Sequence, residues 1–327
     1  MAAETNKIMF LFPGQGSQYR GIGSDLFDQF KSVREIYSRA SKTVGYDIAE
    51  LSFRDPEGVI DLTRNTQPVL MTHSIACLEL FKQETGENVK PHCAGGHSLG
   101  EYTALVASGA LEFETGLQLV KRRGELMGEF GEGEMLAFPL AREMIEPIAG
   151  QHYCGVAACN LQEQTVIGGR SEDLDTITEI VGQQFPKKRA ARLKTEGAFH
   201  TYYMVTAAGH FRRVLEEAEI QLPTIDVLSN FTGGFHQRDI AAIRSRLFMQ
   251  LFCPVMWHSN LVAAVDHGVD TFIEFGGGIG KGESAGEKRP NLEGIVKRAF
   301  RGEESPPQHY PAINCESLEK TITMFSV

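Results

Sequence analysis

Short apolar runs alternate with helical patterns over most of this chain, and that alternation limits the folds it can adopt. A buried strand is predicted over 8–12, where the run IMFLF ends at Pro13. A second short strand is predicted over 91–95, and a helix follows GHSLG at 96–100. Strands that alternate with helices need crossover connections, which favour a mostly parallel sheet with helices on both faces. The sequence therefore predicts an α/β fold.

Two helices are predicted between these first two strands. The first is amphipathic and ends at Gly45, and Thr66-Gln67-Pro68 predicts the cap and first turn of the second. The apolar stripe of the first helix consists of Leu26, Phe30, Val33, Tyr37 and Ala40. Both helices fit the crossover connections of a parallel sheet.

The pattern changes at Gly131, after which short strands and helices follow one another closely. Their order is strand, helix, strand, strand, helix, strand, which is the order of a ferredoxin-like unit. The strands are predicted over 134–138, 153–160, 164–167 and 189–193, and the helices over 142–149 and 172–183. The alternating pattern then returns, with helices over 205–218 and 240–251 and strands over 225–229 and 271–275.

These changes divide the chain into two subdomains and a tail. Residues 1–130 and 196–300 are predicted to form a large α/β subdomain, into which a small ferredoxin-like subdomain of residues 131–195 is inserted. The Pro-rich segment 301–327 is predicted to be a C-terminal tail that crosses the surface or leads toward a partner.

The composition narrows the class of protein. With 32 Lys and Arg against 42 Asp and Glu, the formal net charge of −10 disfavours a nucleic-acid binder, which needs a clustered basic face. No apolar run reaches the length of a secretory signal core or a membrane span, so neither is expected. The six cysteines form no CxxC pair and read as reduced thiols, which predicts a cytoplasmic protein.

The strongest local signal for chemistry is GHSLG at 96–100, a GxSxG pattern between a predicted strand and a predicted helix. On such a turn the hydroxyl of Ser98 would stand at the carboxyl edge of the strand. The amides at the start of the next helix would face a developing oxyanion. The pattern alone also occurs by chance, so the flanking strand and helix are what favour a nucleophile.

A serine nucleophile needs a base, and ten histidines are available. His200 is the most suggestive, because it lies where the inserted unit rejoins the main sheet, beside small residues that leave room for a ligand. His97 neighbours Ser98 but points away from its side chain on a tight turn, which predicts a packing or substrate-contact residue. An ordinary structural histidine remains the alternative for each.

Arg123 stands in the middle of an apolar helical stripe, four residues after Leu119 and three before Leu126. An arginine on a buried face must be paired with an anion, because a lone buried charge costs several kcal/mol. The anion could be a core Asp or Glu, or it could be a ligand carboxylate held by the guanidinium fork. The helical pattern leaves both alternatives open.

Two Gly-rich loops could cradle phosphates, but neither matches a known phosphate-binding pattern. The loop over 12–18 follows the first strand, at the sheet edge where ligands bind. It fails both the dinucleotide and the P-loop spacing, and so does the loop over 276–282. The chain also has no HExxH or other compact metal spacing, so no metal site is predicted.

Eight short motifs follow one another along the chain. They are FPGQGSQ (12–18), TQP (66–68), GHSLGEYTAL (96–105), KRRGELM (121–127), ACNLQEQTVIGG (158–169), GAFH (197–200), SNFTGG (229–234) and PVMW (254–257). Together they resemble the malonyl-CoA:acyl carrier protein transacylases and the acyltransferase units of polyketide synthases. The resemblance runs over about residues 8–300 and implies a hydrolase-like parallel-sheet subdomain that carries an inserted ferredoxin-like one.

The resemblance also implies roles for individual residues. It makes Ser98 the nucleophile and His200 its base, oriented by a backbone carbonyl near the PVMW segment rather than by an aspartate. The backbone amides of Gln15 and Leu99 would form the oxyanion hole. Arg123 falls where the family has its arginine for the malonyl carboxylate, which favours the ligand over a core acid.

The remaining residues implied by the resemblance concern substrate binding. Phe199, directly before the histidine, is typical of malonyl-selective members, because a bulky ring crowds the α-methyl group of methylmalonate. The resemblance also places His97, Gln67 and Asn160 among the substrate-binding residues.

Two features depart from the family pattern. After Gly276-Gly277-Gly278, about a dozen Gly-rich and charged residues at 279–290 predict an extra loop near the rim of the site. This feature resembles free-standing acyltransferases that serve polyketide synthases lacking such a unit. The usual apolar strand before GHSLG is also replaced by the polar His92-Cys93.

The implied function is transfer of a malonyl group from CoA to the phosphopantetheine thiol of an acyl carrier protein, through a malonyl-Ser98 ester. Malonyl-CoA would be a substrate, no bound cofactor is expected, and the protein is expected to be a monomer. The main alternative is an acyl hydrolase that clears carrier proteins with the same Ser98 and His200. Such relatives tend to lack the carboxylate-binding arginine, so Arg123 argues against it.

Overall fold

Two β-sheets organise the computed structural model, which describes residues 6–86 and 88–326. The strands are β1 (Ile8–Phe12), β2 (Cys93–Gly96), β3 (Glu134–Phe138), β4 (Gly155–Leu161), β5 (Gln164–Gly169), β6 (Ala191–Leu193), β7 (Asp226–Ser229), β8 (Gly234–Phe235), β9 (Thr271–Phe275) and β10 (Gln308–Ala312). One sheet has the order β10-β9-β1-β2-β7-β8 and the other the order β4-β5-β3-β6. The prediction of a mixed α/β fold is confirmed.

The six-stranded sheet is parallel except at one edge, where β8 pairs antiparallel with β7. Strand β1 lies at its centre because IMFLF is buried along its whole length. The rings of Phe10 and Phe12 pack against Phe275 of β9, with ring centroids 5.0 and 5.9 Å apart. This parallel sheet is the one that the alternating pattern predicts.

Thirteen α-helices accompany the sheets in the described residues. They are α1 (Ser24–Gln29), α2 (Lys31–Val44), α3 (Ile48–Phe53), α4 (Thr63–Glu84), α5 (Leu99–Ala107), α6 (Phe113–Glu129), α7 (Arg142–Gln151), α8 (Ser171–Gln184), α9 (Val205–Glu217), α10 (Ile240–Gln250), α11 (Trp257–Asp266), α12 (Glu293–Ala299) and α13 (Cys315–Phe325). Helix α4 is buried nearly all round and packs against α2, α5 and α6. None of these helices is both long enough and apolar enough to cross a bilayer.

The four-stranded sheet is antiparallel, and all its strands come from the stretch in which the sequence pattern changes. Backbone hydrogen bonds join it to the rest of the molecule. The Cys159 amide donates to the Val255 carbonyl at 2.8 Å, and the Val255 amide donates to the Ala157 carbonyl at 2.9 Å. These bonds fix β4 beside the segment that leads into α11.

The first predicted helix is in fact two helices, α1 and α2, because Phe30 has an extended backbone between them (φ −113°, ψ 126°). Arg34 compensates for the break, since its Nη1 donates to the carbonyls of Phe27 and Asp28 at 2.7 and 3.1 Å. Four of the five stripe residues are buried and Phe30 is half-buried, so the apolar face predicted from the pattern is confirmed as the one that packs inward.

The second predicted helix begins four residues earlier than expected, with Leu62 and not Thr66 at its N-cap. Helix α4 starts at Thr63, so Pro68 lies inside it. The amide of Thr63 donates to the carboxylate of Glu196, which lies 133 residues further along the chain. A carboxylate that caps a helix from so far away leaves no local sequence signal.

The predicted C-terminal tail is also wrong, because it belongs to the folded body. Strand β10 pairs in parallel with β9 as an edge strand, which tolerates Pro311 because one side of such a strand needs no ladder bond. Helix α13 buries Leu318 and packs against α4. The ring of Phe325 contacts those of Phe81 and Tyr310.

The extra loop at 279–290 does not reach the rim of the pocket described below. Ile279 and Arg289 exchange backbone hydrogen bonds at its base. The ammonium of Lys288 lies 4.6 Å from the centre of the Tyr19 ring, and the Asn314 side chain donates to the Ala285 carbonyl at 2.7 Å. The loop therefore packs against the N-terminal and C-terminal segments.

Candidate active site

Ser98 stands on a sharp turn between β2 and α5. Its backbone has a positive φ of 53°, which is unusual for a residue other than glycine. A Cβ on Gly96 would collide with the backbone of Gly100, and one on Gly100 would collide with the backbone of Phe12. Both glycines of GHSLG are therefore required by close backbone contacts, as the predicted nucleophile turn needs.

His200 lies within hydrogen-bond distance of Ser98, with 2.7 Å between Ser98 Oγ and His200 Nε2. The other ring nitrogen, Nδ1, is 2.6 Å from the backbone carbonyl of Gln250. A carbonyl can only accept, so Nδ1 carries the proton and Nε2 of the neutral ring presents its lone pair to the serine. Gln250 lies four residues before Pro254, close to where the sequence predicts an orienting carbonyl.

The environment of His200 keeps its imidazole neutral. Burial lowers the pKa of His200 to about 3, and the positive charge of Arg123 adds to the effect. A neutral imidazole can accept the proton of the serine hydroxyl, whereas a protonated one cannot.

Arg123 of α6 is buried, with only 1% of its surface exposed, and its guanidinium lies beside the serine. Its Nη2 is 3.1 Å from Ser98 Oγ and 3.0 Å from Gln250 Oε1, and its Nη1 is 3.0 Å from Gln67 Oε1. The ring of Tyr102 lies 5.3 Å away. Within the described chain no carboxylate forms an ion pair with this guanidinium, so the alternative of a directly paired core acid is wrong.

Two backbone amides lie where the sequence analysis expects an oxyanion hole. Strands β1 and β2 are neighbours in register, with Phe12 opposite Gly96. Gln15 and Leu99 each follow their strand by three residues, so both lie at the same carboxyl edge of the sheet. Leu99 is the first residue of α5, and its amide therefore has no carbonyl partner within the helix.

A cavity of about 680 Å³ opens over these groups. The residues that line it include all nine that the sequence analysis selects: Gln15, Gln67, His97, Ser98, Leu99, Arg123, Asn160, Phe199 and His200. His97 is half-buried and its Nε2 is 2.9 Å from Asn160 Oδ1. Its ring meets the edge of the Trp257 ring, with 5.5 Å between centroids.

The pocket draws on both sheets. Its apolar wall includes Met127 from α6, Met135 from β3, Ala158 from β4 and Val166 from β5. Among the described residues, no group of three or more His, Cys, Asp or Glu side chains is arranged to hold a metal ion.

Three residues that hold the site in place, Asn230, Gln250 and Glu101, were not predicted from the sequence. Asn230 Oδ1 accepts from the Ser98 amide at 2.6 Å, and Gln250 Nε2 donates to the Ser98 carbonyl at 2.9 Å. Glu101 Oε2 accepts from Gln250 Nε2 at 2.8 Å and from the backbone amide of Asn230 at 3.0 Å. A signal for Glu101 existed, because it is a charged residue in the otherwise apolar start of the helix after GHSLG.

Comparison with known proteins places the chain in a family. The family model described as an acyl transferase domain matches residues 9–276. The malonyl CoA-acyl carrier protein transacylase of Bacillus subtilis is 35% identical over 305 residues, which is 90% of this chain and 91% of that protein. The polyketide biosynthesis malonyl CoA-acyl carrier protein transacylase BaeC of Bacillus velezensis is 36% identical over 275 residues, 83% and 93% of the two chains.

A solved structure is also similar to this chain over nearly its whole length. It is the complex PlMCAT:AntF, a type II PKS acyl-carrier protein with its malonyl-transacylase, and the similarity has a TM-score of 0.86 with 29% identity over 97% of this chain and 99% of that one. The match of the family model and the identity to curated relatives agree with the geometry of the pocket. This chain belongs to the acyl transferase family, among the malonyl CoA-acyl carrier protein transacylases.

Proposed function

We propose that this protein transfers a malonyl group from CoA to the phosphopantetheine thiol of an acyl carrier protein, through an ester on Ser98. The observation that carries the proposal is Arg123, a buried guanidinium 3.1 Å from Ser98 Oγ that no carboxylate of the described residues pairs with directly. Such a group suits an acyl chain that itself ends in a carboxylate. The printed names of the relatives agree with this substrate class.

In the first half-reaction, His200 Nε2 takes the proton of the Ser98 hydroxyl while Oγ attacks the thioester carbonyl. The amides of Gln15 and Leu99 donate to the resulting oxyanion. The carbon–sulfur bond then breaks, the acyl group stays on Oγ, and the proton on His200 passes to the departing sulfur of CoA. The products are the malonyl ester of Ser98 and free CoA.

In the second half-reaction, the thiol of the carrier protein takes the place of CoA. His200 accepts the thiol proton as the sulfur attacks the ester carbonyl, and the bond between the acyl carbon and Oγ breaks. The proton on His200 returns to Oγ, which restores the serine. The two halves form a ping-pong cycle.

The other predicted residues are assigned to substrate binding. Arg123 holds the malonyl carboxylate, with Gln67 orienting one of its nitrogens. Phe199 limits the room at the α-carbon, and His97 and Asn160, hydrogen-bonded to each other, form part of the wall along which the pantetheine arm enters. Their positions in one pocket support these roles.

We also propose a two-subdomain organisation, with a hydrolase-like body of residues 1–130 and 196–300 and a ferredoxin-like insertion of residues 131–195. Strands β3 to β6 form one antiparallel sheet in the order β4-β5-β3-β6, which supports the insertion. The described part of the C-terminal segment, residues 301–326, is assigned to the body, because β10 pairs with β9.

The carrier is proposed to belong to a polyketide synthase, served by this chain as a free-standing enzyme. The similarity to BaeC, which is named for polyketide biosynthesis, supports this choice. The cytoplasmic location, the monomeric state and the absence of a bound cofactor stay predictions from the sequence.

Intact-protein mass spectrometry tests the proposal, with malonyl-CoA added first and holo carrier protein second. We expect a malonyl adduct that is absent from the Ser98→Ala variant and that moves to the carrier. An adduct that decays to free malonate at the same rate with or without carrier would instead establish the hydrolase. An adduct that forms with other acyl-CoA thioesters but not with malonyl-CoA would refute the role of Arg123.

A further inference from the structure

A buried carboxylate that takes no direct part in the proposed reaction lies behind the site. Glu101, on the first turn of α5, is fully buried. Its Oε2 accepts from Gln250 Nε2 at 2.8 Å and from the Asn230 amide at 3.0 Å, and its Oε1 lies 2.7 Å from His236 Nε2. Three donors thus surround an anion that is out of reach of solvent and substrate.

Glu101 fixes which way the amide of Gln250 points. The carboxylate and the Ser98 carbonyl can only accept, and both lie within 2.9 Å of the same end of that amide. This end must therefore be the NH₂ group. The oxygen then faces the other way and meets Arg123 Nη2 at 3.0 Å.

Arg123 depends on acceptors of this kind. Its guanidinium has five N–H donors, and Gln67, Gln250 and Ser98 account for three of them. The Nε–H is buried and has no protein partner within the described residues, so the plane of the guanidinium is set by the side-chain amides of Gln67 and Gln250. A reversed Gln250 amide would present a donor to a donor.

The charges are consistent with this arrangement. Burial lowers the pKa of Arg123, while the nearby carboxylate of Glu101 acts in the opposite direction. Glu101 therefore balances Arg123 through an intervening amide instead of a direct ion pair. The guanidinium remains available to a second carboxylate.

We propose that Glu101 is a positioning residue: it orients the Gln250 amide and, through it, holds the Arg123 guanidinium in place for the carboxylate of the acyl group. The inference rests on the proposed function, because its effect is a preference for acyl groups that end in a carboxylate. It predicts that loss of the Glu101 charge reduces selectivity for charged acyl groups, beyond any general loss of activity.

The test compares malonyl-CoA with acetyl-CoA on the same preparation of the full-length protein. The ratio of the two kcat/KM values is independent of the fraction of protein that is folded, so a destabilised variant still gives an answer. For Glu101→Gln we expect this ratio to fall by about tenfold or more, because such a factor corresponds to the free energy of a hydrogen bond to a charged group. For His236→Ala, which removes one donor from Glu101, we expect a smaller fall of about threefold.

Glu274→Gln is the matched control. Glu274 is equally buried, accepts from the amides of Asn291 and Leu292 at 2.8 and 3.0 Å, and lies 2.9 Å from His309 Nε2, but it does not line the pocket. The Glu274→Gln variant should have a lower free energy of unfolding, while its ratio of kcat/KM for malonyl-CoA to kcat/KM for acetyl-CoA should be unchanged.

A double-mutant cycle with Gln250→Met tests whether Glu101 acts on Arg123 through the side chain of Gln250. This variant keeps the backbone carbonyl that holds His200. The ratio should fall in Gln250→Met and fall no further when Glu101→Gln is added. An unchanged ratio in Glu101→Gln, or an equal fall in Glu274→Gln, would overturn the inference. If the unaltered protein shows no preference for malonyl-CoA, the proposed function itself fails, which is a different result.

Discussion

At the scale of single residues, Arg123 is where substrate choice is concentrated. The change Arg123→Ala should lower kcat/KM for malonyl-CoA by about 100-fold or more, because a bidentate contact between an arginine and a carboxylate is lost. Transfer of an acetyl group, which lacks the carboxylate, should fall much less. Steady-state kinetics with both thioesters measure the difference.

Arg122→Ala is the control for that experiment, because Arg122 is next in the chain, half-exposed, and paired with Glu125 at 3.0 Å on the outside of the same helix. It should leave both activities nearly unchanged. Equal losses of malonyl and acetyl transfer in Arg123→Ala would show that the arginine supports the structure of the site and not the substrate carboxylate.

His200 predicts how stability depends on pH. Its pKa is lowered from the ordinary 6.5 to about 3, so between these values the unfolded chain binds a proton that the folded protein does not. The free energy of unfolding should therefore decrease as the pH falls from about 6.5, by up to about 1.4 kcal/mol per pH unit from this residue. His200→Ala should show a shallower decrease between pH 6.5 and 5 in denaturant unfolding, and parallel curves would contradict the assignment.

The site residues that could be predicted from the sequence differ from those that could not in what determines their positions. Ser98 could be predicted because GHSLG lies between a predicted strand and a predicted helix, whereas Gln15 and Leu99 were implied only by the family resemblance. Gln250 could not, because its role is set by contacts with Ser98 and Arg123, which lie 152 and 127 residues away. Glu196 illustrates the same limit, since the helix that it caps begins 133 residues earlier.

At the scale of secondary-structure elements, the C-terminal strand and helix are part of the core. Leu318 of α13 is 2% exposed, so Leu318→Ala should reduce the free energy of unfolding by about 2–5 kcal/mol. Met324 on the same helix is 58% exposed, and Met324→Ala should change it by less than about 0.5 kcal/mol. Thermal or denaturant unfolding of the two variants measures this, and equal stabilities would mean that α13 is not packed as described.

The same elements show why strands and helices were predicted unevenly from the sequence. Long buried runs such as β1 and the close strand–helix order of 131–195 follow their hydrophobic patterns, so their positions agree to within a few residues. Strand β10 was missed because Pro311 and the neighbouring prolines resemble a loop. A proline is tolerated there only because the strand lies at the sheet edge. The position of a strand within a sheet is set by the tertiary structure and cannot be read from the local sequence.

At the scale of the whole molecule, the net charge is negative, but a segment rich in basic residues ends at the pocket. The chain carries −10, which disfavours approach of an anionic CoA thioester. Five basic residues nevertheless lie within 187–194: Lys187, Lys188, Arg189, Arg192 and Lys194. Lys188 and Arg192 are paired with acidic side chains, whereas Lys194 lines the pocket beside Leu193 and should attract the CoA phosphates locally.

The rate of malonyl transfer should therefore depend on salt concentration. At low ionic strength, Lys194→Glu should reduce kcat/KM for malonyl-CoA several-fold, mainly through KM, and the loss should shrink as salt is added. Lys31→Glu makes the same change of net charge at an exposed position that does not line the pocket, and it should have little effect. If both variants lost activity equally, the net charge of the molecule and not the basic segment would govern the approach of the substrate.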